Sequence, residues 1–137
     1  ASENGHIEVV KLLLLDSRVD PGADDNYAIS RASKYGHAEI VKILLADARV
    51  DPGADDNYAV RFASENGHIE VVKLLLLDSR VDPGADDNYA ISRASKYGHA
   101  EIVKILLADA RVDPGADENF AVRFASENGH IEVVKLL

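Results

Sequence analysis

The dipeptide Gly-His occurs five times at a fixed interval of 31 residues, at Gly5-His6, Gly36-His37, Gly67-His68, Gly98-His99 and Gly129-His130. A period of that length marks an array of small supersecondary units, and it constrains the fold more than any local propensity. Four whole units occupy residues 1–31, 32–62, 63–93 and 94–124, and residues 125–137 begin a fifth, so the expected organisation is a single array without a linker. Two versions of the unit alternate and agree at 21 of 31 positions. Residues 63–124 then repeat residues 1–62 with two changes, Glu118 where the first copy has Asp56 and Phe120 where it has Tyr58.

Each unit reads as helix, turn, helix, loop. In the second unit, Asp24-Asp25-Asn26 offers side-chain oxygens to cap a helix, and its acids suit the N-terminal dipole. A short helix is predicted over Tyr27–Lys34, stopped by a left-handed Gly36. A second is predicted over Ala38–Ala46, where Ile40, Val41, Ile43, Leu44 and Leu45 are apolar around more than one face. Asp51-Pro52-Gly53 breaks it, Pro because it cannot continue the helix and Gly by permitting the reversal. Neither helix is long enough to stand alone. Stacking against neighbouring units supplies the missing burial, about 1.5–3 kcal/mol for each Leu, Ile or Val.

Composition narrows the function. The longest apolar run, Leu12 to Leu15, is far short of a membrane span. Cys is absent, which removes disulfides, thiolate metal sites and Cys nucleophiles. A net charge of −9 argues against nucleic acid and anionic membranes and leaves basic protein surfaces as compatible partners. No signal peptide or lipidation motif is visible. The chain opens with Ala1-Ser2-Glu3 and contains no Met, so its natural start is expected outside this stretch. Both ends fall within a repeat and neither carries a polar capping unit, as expected of a window cut from a longer array.

The segments Gly36-His37-Ala38-Glu39-Ile40-Val41-Lys42-Ile43-Leu44-Leu45 and Gly67-His68-Ile69-Glu70-Val71-Val72-Lys73-Leu74-Leu75-Leu76 resemble the second-helix signature of ankyrin repeats, and Ala63 to His68 resembles the end of the family's first helix. The family's Thr-Pro-Leu-His segment aligns with Tyr27-Ala28-Ile29-Ser30 and Tyr58-Ala59-Val60-Arg61, so Asp25 or Asn26 is expected to take over capping. The unit is also about two residues shorter than the usual ankyrin length. The resemblance implies an all-α solenoid of stacked helix-turn-helix repeats, here with short Asp-Pro-Gly loops in place of a full β-hairpin finger. It implies a protein-binding module with no catalytic activity and no cofactor. It also implies an intracellular setting, whereas a fibre would be extracellular.

Candidate sites follow from the columns of the repeat. One His per unit, at the roughly 8–10 Å spacing of packed helices, cannot converge on one metal ion. Each His is instead expected to hydrogen-bond at the turn between its two helices. Ser33, His37 and Asp47 contain the residue types of a hydrolase triad, but the set recurs in other units, whereas catalysis needs one constellation with its own oxyanion hole. Asp20, Asp24, Asp25 and Asn26, and their counterparts in every unit, form an acidic ridge. Calcium requires six to eight oxygens, and neighbouring loops could share carboxylates. The spacing follows no calcium-loop pattern, so a solvated ridge is the expectation.

The columns that alternate carry more information. Glu3, Lys34, Glu65, Lys96 and Glu127 alternate in sign and are expected to meet across repeats. Asn4, Tyr35, Asn66, Tyr97 and Asn128 form the next column, and Arg31, Phe62, Arg93 and Phe124 another. With Arg61 and Arg123, the residues Arg31, Tyr35, Phe62, Arg93, Tyr97 and Phe124 make a candidate protein-binding face, since Tyr, Phe and Arg are enriched at binding hot spots. Alternatively, Phe62 and Phe124 are partly core, covered by Arg stems. On the second helix, Ile7 and Leu15 alternate with Ala38 and Ala46, then Ile69 and Leu77 with Ala100 and Ala108. That bulk alternation suits lateral contact between copies. The function expected is a non-enzymatic scaffold for other proteins. The rival is a filament of near-identical repeats stacked head to tail.

Overall fold

The computed structural model describes residues 3–137 and contains nine α-helices among them. The helices are α1 (Glu3–Leu14), α2 (Ala23–Lys34), α3 (Ala38–Leu45), α4 (Ala54–Glu65), α5 (Ile69–Leu76), α6 (Ala85–Lys96), α7 (Ala100–Leu107), α8 (Ala116–Glu127) and α9 (Ile131–Leu136). The first helices of successive repeats, α2, α4, α6 and α8, pack side by side, and the second helices, α3, α5, α7 and α9, form a parallel row behind them. No strand occurs among the described residues. The α1 helix runs through Gly5-His6, where the sequence predicts a turn.

Burial comes from neighbours. Val41, Val60, Val71, Val72, Leu75, Val81, Ile91, Ile102, Val103 and Leu106 belong to one apolar cluster that passes from repeat to repeat. Leu13 and Leu75 occupy the same place in copies of the same helix, yet Leu13 is 49% exposed and Leu75 is 0% exposed. The flanking residues are identical, so local sequence cannot account for the difference. Repeats on both sides of α5 do.

The loop differs from the sequence reading in two respects. Asp51-Pro52-Gly53-Ala54 closes as a type I turn, with Ala54 N–H donating to Asp51 O at 3.3 Å and Gly53 at φ −90°, ψ 1°. Gly53 therefore makes no left-handed reversal. Its lack of a side chain matters because a Cβ there would lie 2.6 Å from Arg80 O of the next repeat. The reversal falls instead on Asp55-Asp56-Asn57, whose φ values are 55°, 50° and 60°. Asp and Asn are the non-glycine residues that best tolerate this region. Left-handed residues cannot serve as a standard N-cap, and none of these side chains caps the helix. Asn57 Oδ1 instead accepts a bond from Asp82 N of the next repeat at 2.8 Å.

Two further couplings tie each repeat to the one before it. Gly67 takes φ +79°, as predicted for the turn, and a Cβ on it would lie 2.8 Å from His99 Cε1. His99 Nε2 reaches back to Glu65 O at 2.9 Å. Because a carbonyl only accepts, that nitrogen carries the proton. His68 and His130 do the same to Lys34 O and Lys96 O, each at 2.9 Å. The expected turn hydrogen bond of the histidine is thus made across repeats rather than within one.

The second coupling is a clamp absent from the sequence reading. Arg80 pairs with Asp78 through two of its nitrogens and donates its third to Val50 O of the preceding repeat at 2.8 Å. Arg49 reaches Val19 O, and Arg111 reaches Val81 O, at 2.8 and 2.7 Å. These bonds hold Asp47, Asp78 and Asp109 below the usual carboxylate range, Asp47 at about 2.

Candidate protein-interaction face

The exposed row of first helices carries a continuous ladder of rings and guanidinium groups. Arg31 lies over Tyr27 at 5.0 Å and donates to the Tyr58 hydroxyl at 3.2 Å. Tyr58 stacks on Phe62 at 4.2 Å. Arg61 lies 5.3 Å from Phe62 and 5.2 Å from Tyr89. Arg93 sits between Tyr89 and Phe120 at 5.1 and 5.3 Å, Phe120 stacks on Phe124 at 4.1 Å, and Arg123 lies 5.8 Å from the Phe124 ring. A cation set over each ring face is attracted by the ring quadrupole. Arg31, Arg61 and Arg93 thus each lie against rings of two successive repeats.

The ladder sorts the sequence candidates. Phe62 and Phe124 are half-buried in it, and Arg31, Arg61 and Arg93 are engaged by its rings. Tyr35 and Tyr97 stand clear of it, 59% and 47% exposed, two repeats apart on one edge. Lys34 and Lys96 lie 5.6 and 5.5 Å from their ring centroids. The predicted charge alternation does not form cross-repeat ion pairs among the described residues. Lys34 and Lys96 lie over Phe62 and Phe124, each at 5.6 Å, while Glu65 accepts the Tyr89 hydroxyl at 2.9 Å. Burial and that carboxylate raise the Tyr89 pKa. The side chains of Glu3 and Asn4 in these columns lie outside the described residues.

The sequence reading missed Tyr27, Tyr58, Tyr89 and Phe120 as members of the ladder. They recur four residues before Arg31, Phe62, Arg93 and Phe124, a spacing that puts both on one helical face, and that signal was available.

The other candidates resolve as follows. Ser33 Oγ is buried with no hydrogen-bond partner among the described residues, and Asp47 is bound by Arg49, so no triad is assembled. Among the described residues no three His, Asp or Glu groups are placed to hold a metal ion. In the loops Asp20, Asp51, Asp82 and Asp113 each accept a bond from the glycine two residues on, at 2.9 Å. On the second helices, Leu15 and Leu77 are 84% and 85% exposed. Ile69 sits at the far end of α5, Ile7 is half-buried, and Lys73, paired with Glu70 at 3.8 Å, lies between Ile69 and Leu77.

Helix pairs related by one repeated step, locked by bonds that cross every interface, define a helical-repeat solenoid with a broad side-chain face. The family model for ankyrin repeats (3 copies) matches residues 1–87 and again residues 62–137, and the chain belongs to the ankyrin repeat family. Ankyrin repeats generally mediate protein–protein interaction and are typically non-enzymatic. Comparison with curated proteins finds no match.

Proposed function

We propose that residues 1–137 form one continuous array that acts as a non-enzymatic scaffold, binding other proteins through its first-helix face. The exposure of Tyr35 and Tyr97 carries this reading. Large amphipathic rings left in water at a two-repeat spacing are the kind of group that anchors an interface. Arg31, Arg61, Phe62, Arg93, Arg123 and Phe124 form the stiff floor beside them, which lowers the entropy a partner must overcome on docking. Peptides selected from a displayed library against the intact array test the proposal. The double variant Tyr35→Ala/Tyr97→Ala should weaken them by roughly tenfold or more at unchanged helicity. Undiminished binding would move recognition to another face.

A second reading, self-association of copies by lateral contact, is favoured by the exposure of Leu15 and Leu77 beside the exposed small residues Ala46 and Ala108. Light scattering on wild type and Leu15→Ser/Leu77→Ser separates the two. Assembly that the variant abolishes supports lateral self-association, assembly that survives it points to the head-to-tail filament, and a concentration-independent wild-type monomer removes both.

A further inference from the structure

One column of the array reads Ser30, Arg61, Ser92, Arg123. Arg61 shows what that place holds. Its Nε donates to Asp56 O at 2.9 Å, one terminal nitrogen donates to Asp55 O at 3.2 Å, and the other pairs with Asp86 Oδ2 of the next repeat at 3.3 Å. With Phe62 and Tyr89 beside it, only 12% of the side chain remains exposed.

One repeat further on, Ser92 stands in place of Arg61 and the space is a cleft of about 280 Å³. Asp86, Asp87 and Asp117 line it together with the rings of Tyr89 and Phe120. Ser92 also lines the cleft and is 7% exposed, and its hydroxyl makes no hydrogen bond among the described residues. Asp117 stands to Ser92 as Asp86 stands to Arg61, and it has no ion pair among the described residues. Arg93 shares the cleft and lies against two ring faces with no hydrogen bond among the described residues, since Phe120 lacks the hydroxyl that Tyr58 offers Arg31. Even with Asp86 neutralised by Arg61, Asp87 and Asp117 outnumber Arg93.

We propose that this cleft is a docking pocket for a basic side chain presented by a partner protein, which supplies from outside the cation that Arg61 supplies from within the preceding interface. The inference rests on the protein-binding reading above and adds the chemistry of the partner. The internal occupant is the argument: nearly the same residue types, with the same spacing, already hold a guanidinium in this chain. The Ser30 register repeats the set with Asp24, Asp25, Tyr27, Arg31, Asp55 and Tyr58. Two registers two repeats apart are separated by roughly 20 Å at the packing distance of helices. An extended segment with basic residues about six positions apart spans that distance.

N-Acetylarginine amide, titrated into the whole array and followed by NMR at Ser92, Tyr89 and Phe120, tests the pocket. Saturable shifts are expected there, with none from the neutral isostere N-acetylcitrulline amide. Ser92→Arg should fill the pocket from within and weaken binding at this register at least tenfold. Asp117→Asn, at an exposed position, should weaken it too and serves if Ser92→Arg fails to fold. Arg61→Ser should open a new saturable site beside Tyr58 and Tyr89. Equal shifts from the citrulline compound, or unchanged binding in both Ser92→Arg and Asp117→Asn, would overturn the pocket. The scaffold reading would still stand if library-selected binders depended on Tyr35 and Tyr97.

Discussion

Replacing Arg80 by Ala removes the clamp between two repeats, and the chain contains its own control. Arg80 makes two kinds of contact: two bonds to Asp78 and the bond of 2.8 Å to Val50 O. Val50 is 1% exposed, so its carbonyl loses a charged donor in a sheltered place. A bond of that kind contributes about 1.5–3 kcal/mol. Arg18 makes the same pair with Asp16, at 2.7 Å, but its side chain is 88% exposed and its third nitrogen donates no hydrogen bond among the described residues. An exposed pair alone contributes about 0–1 kcal/mol. Arg80→Ala should therefore destabilise the array by roughly 2 kcal/mol more than Arg18→Ala, lowering Tm by roughly 4–8 °C for a chain of this size. Urea and thermal unfolding followed by circular dichroism give both numbers. Equal losses in the two variants would show that the contact across the interface contributes nothing and would refute the clamp.

Two further outcomes follow from the same interfaces. Gly67→Ala places a Cβ 2.8 Å from His99 at φ +79°, whereas Gly129→Ala has φ +75° and open space. Left-handed strain alone costs about 1–2 kcal/mol, so Gly129→Ala should lose about that much and Gly67→Ala distinctly more, read from denaturant midpoints. The acid limit of stability depends on Asp47, Asp78 and Asp109, whose carboxyls are depressed by bonds from Arg49, Arg80 and Arg111. A depressed native pKa adds stability that is complete above the ordinary value of 3.8 and is lost as pH falls through the native one, about 2 for Asp47. The urea midpoint should fall between those two pH values, and Asp47→Asn should flatten part of the slope.

The repeat, the two helices of each unit and the apolar residues between them were legible because period and hydrophobicity depend on position alone. Gly36 and Gly67 were legible for a similar reason, since a helix followed directly by another needs one left-handed residue. The loop was not. Asp-Asp-Asn serves equally as a helix cap and as a left-handed turn, and the turn it adopts is closed locally by Asn57 N–H on Gly53 O, which leaves Asn57 Oδ1 to accept from Asp82 N–H of the next repeat. The arginine clamp was hidden because Asp78 and Arg80 read as a local surface pair until the third nitrogen is seen to cross to Val50. Within the candidate face, residue type pointed to Tyr35, Tyr97 and the arginines, but which rings are engaged and which are free depends on stacking between adjacent units. Lys34 shows the limit: the pattern paired it with glutamate, and the structure places it over Phe62.

The leucines of an inner unit are sheltered by the units on either side. Leu13→Ala and Leu75→Ala make the same chemical change in the same local sequence, at a residue 49% exposed in one case and 0% exposed in the other. Equilibrium urea unfolding should show a loss of about 2–5 kcal/mol for Leu75→Ala and well under half of that for Leu13→Ala. Equal losses would mean that each unit buries its own core, and the stacked array would be the wrong description of this chain.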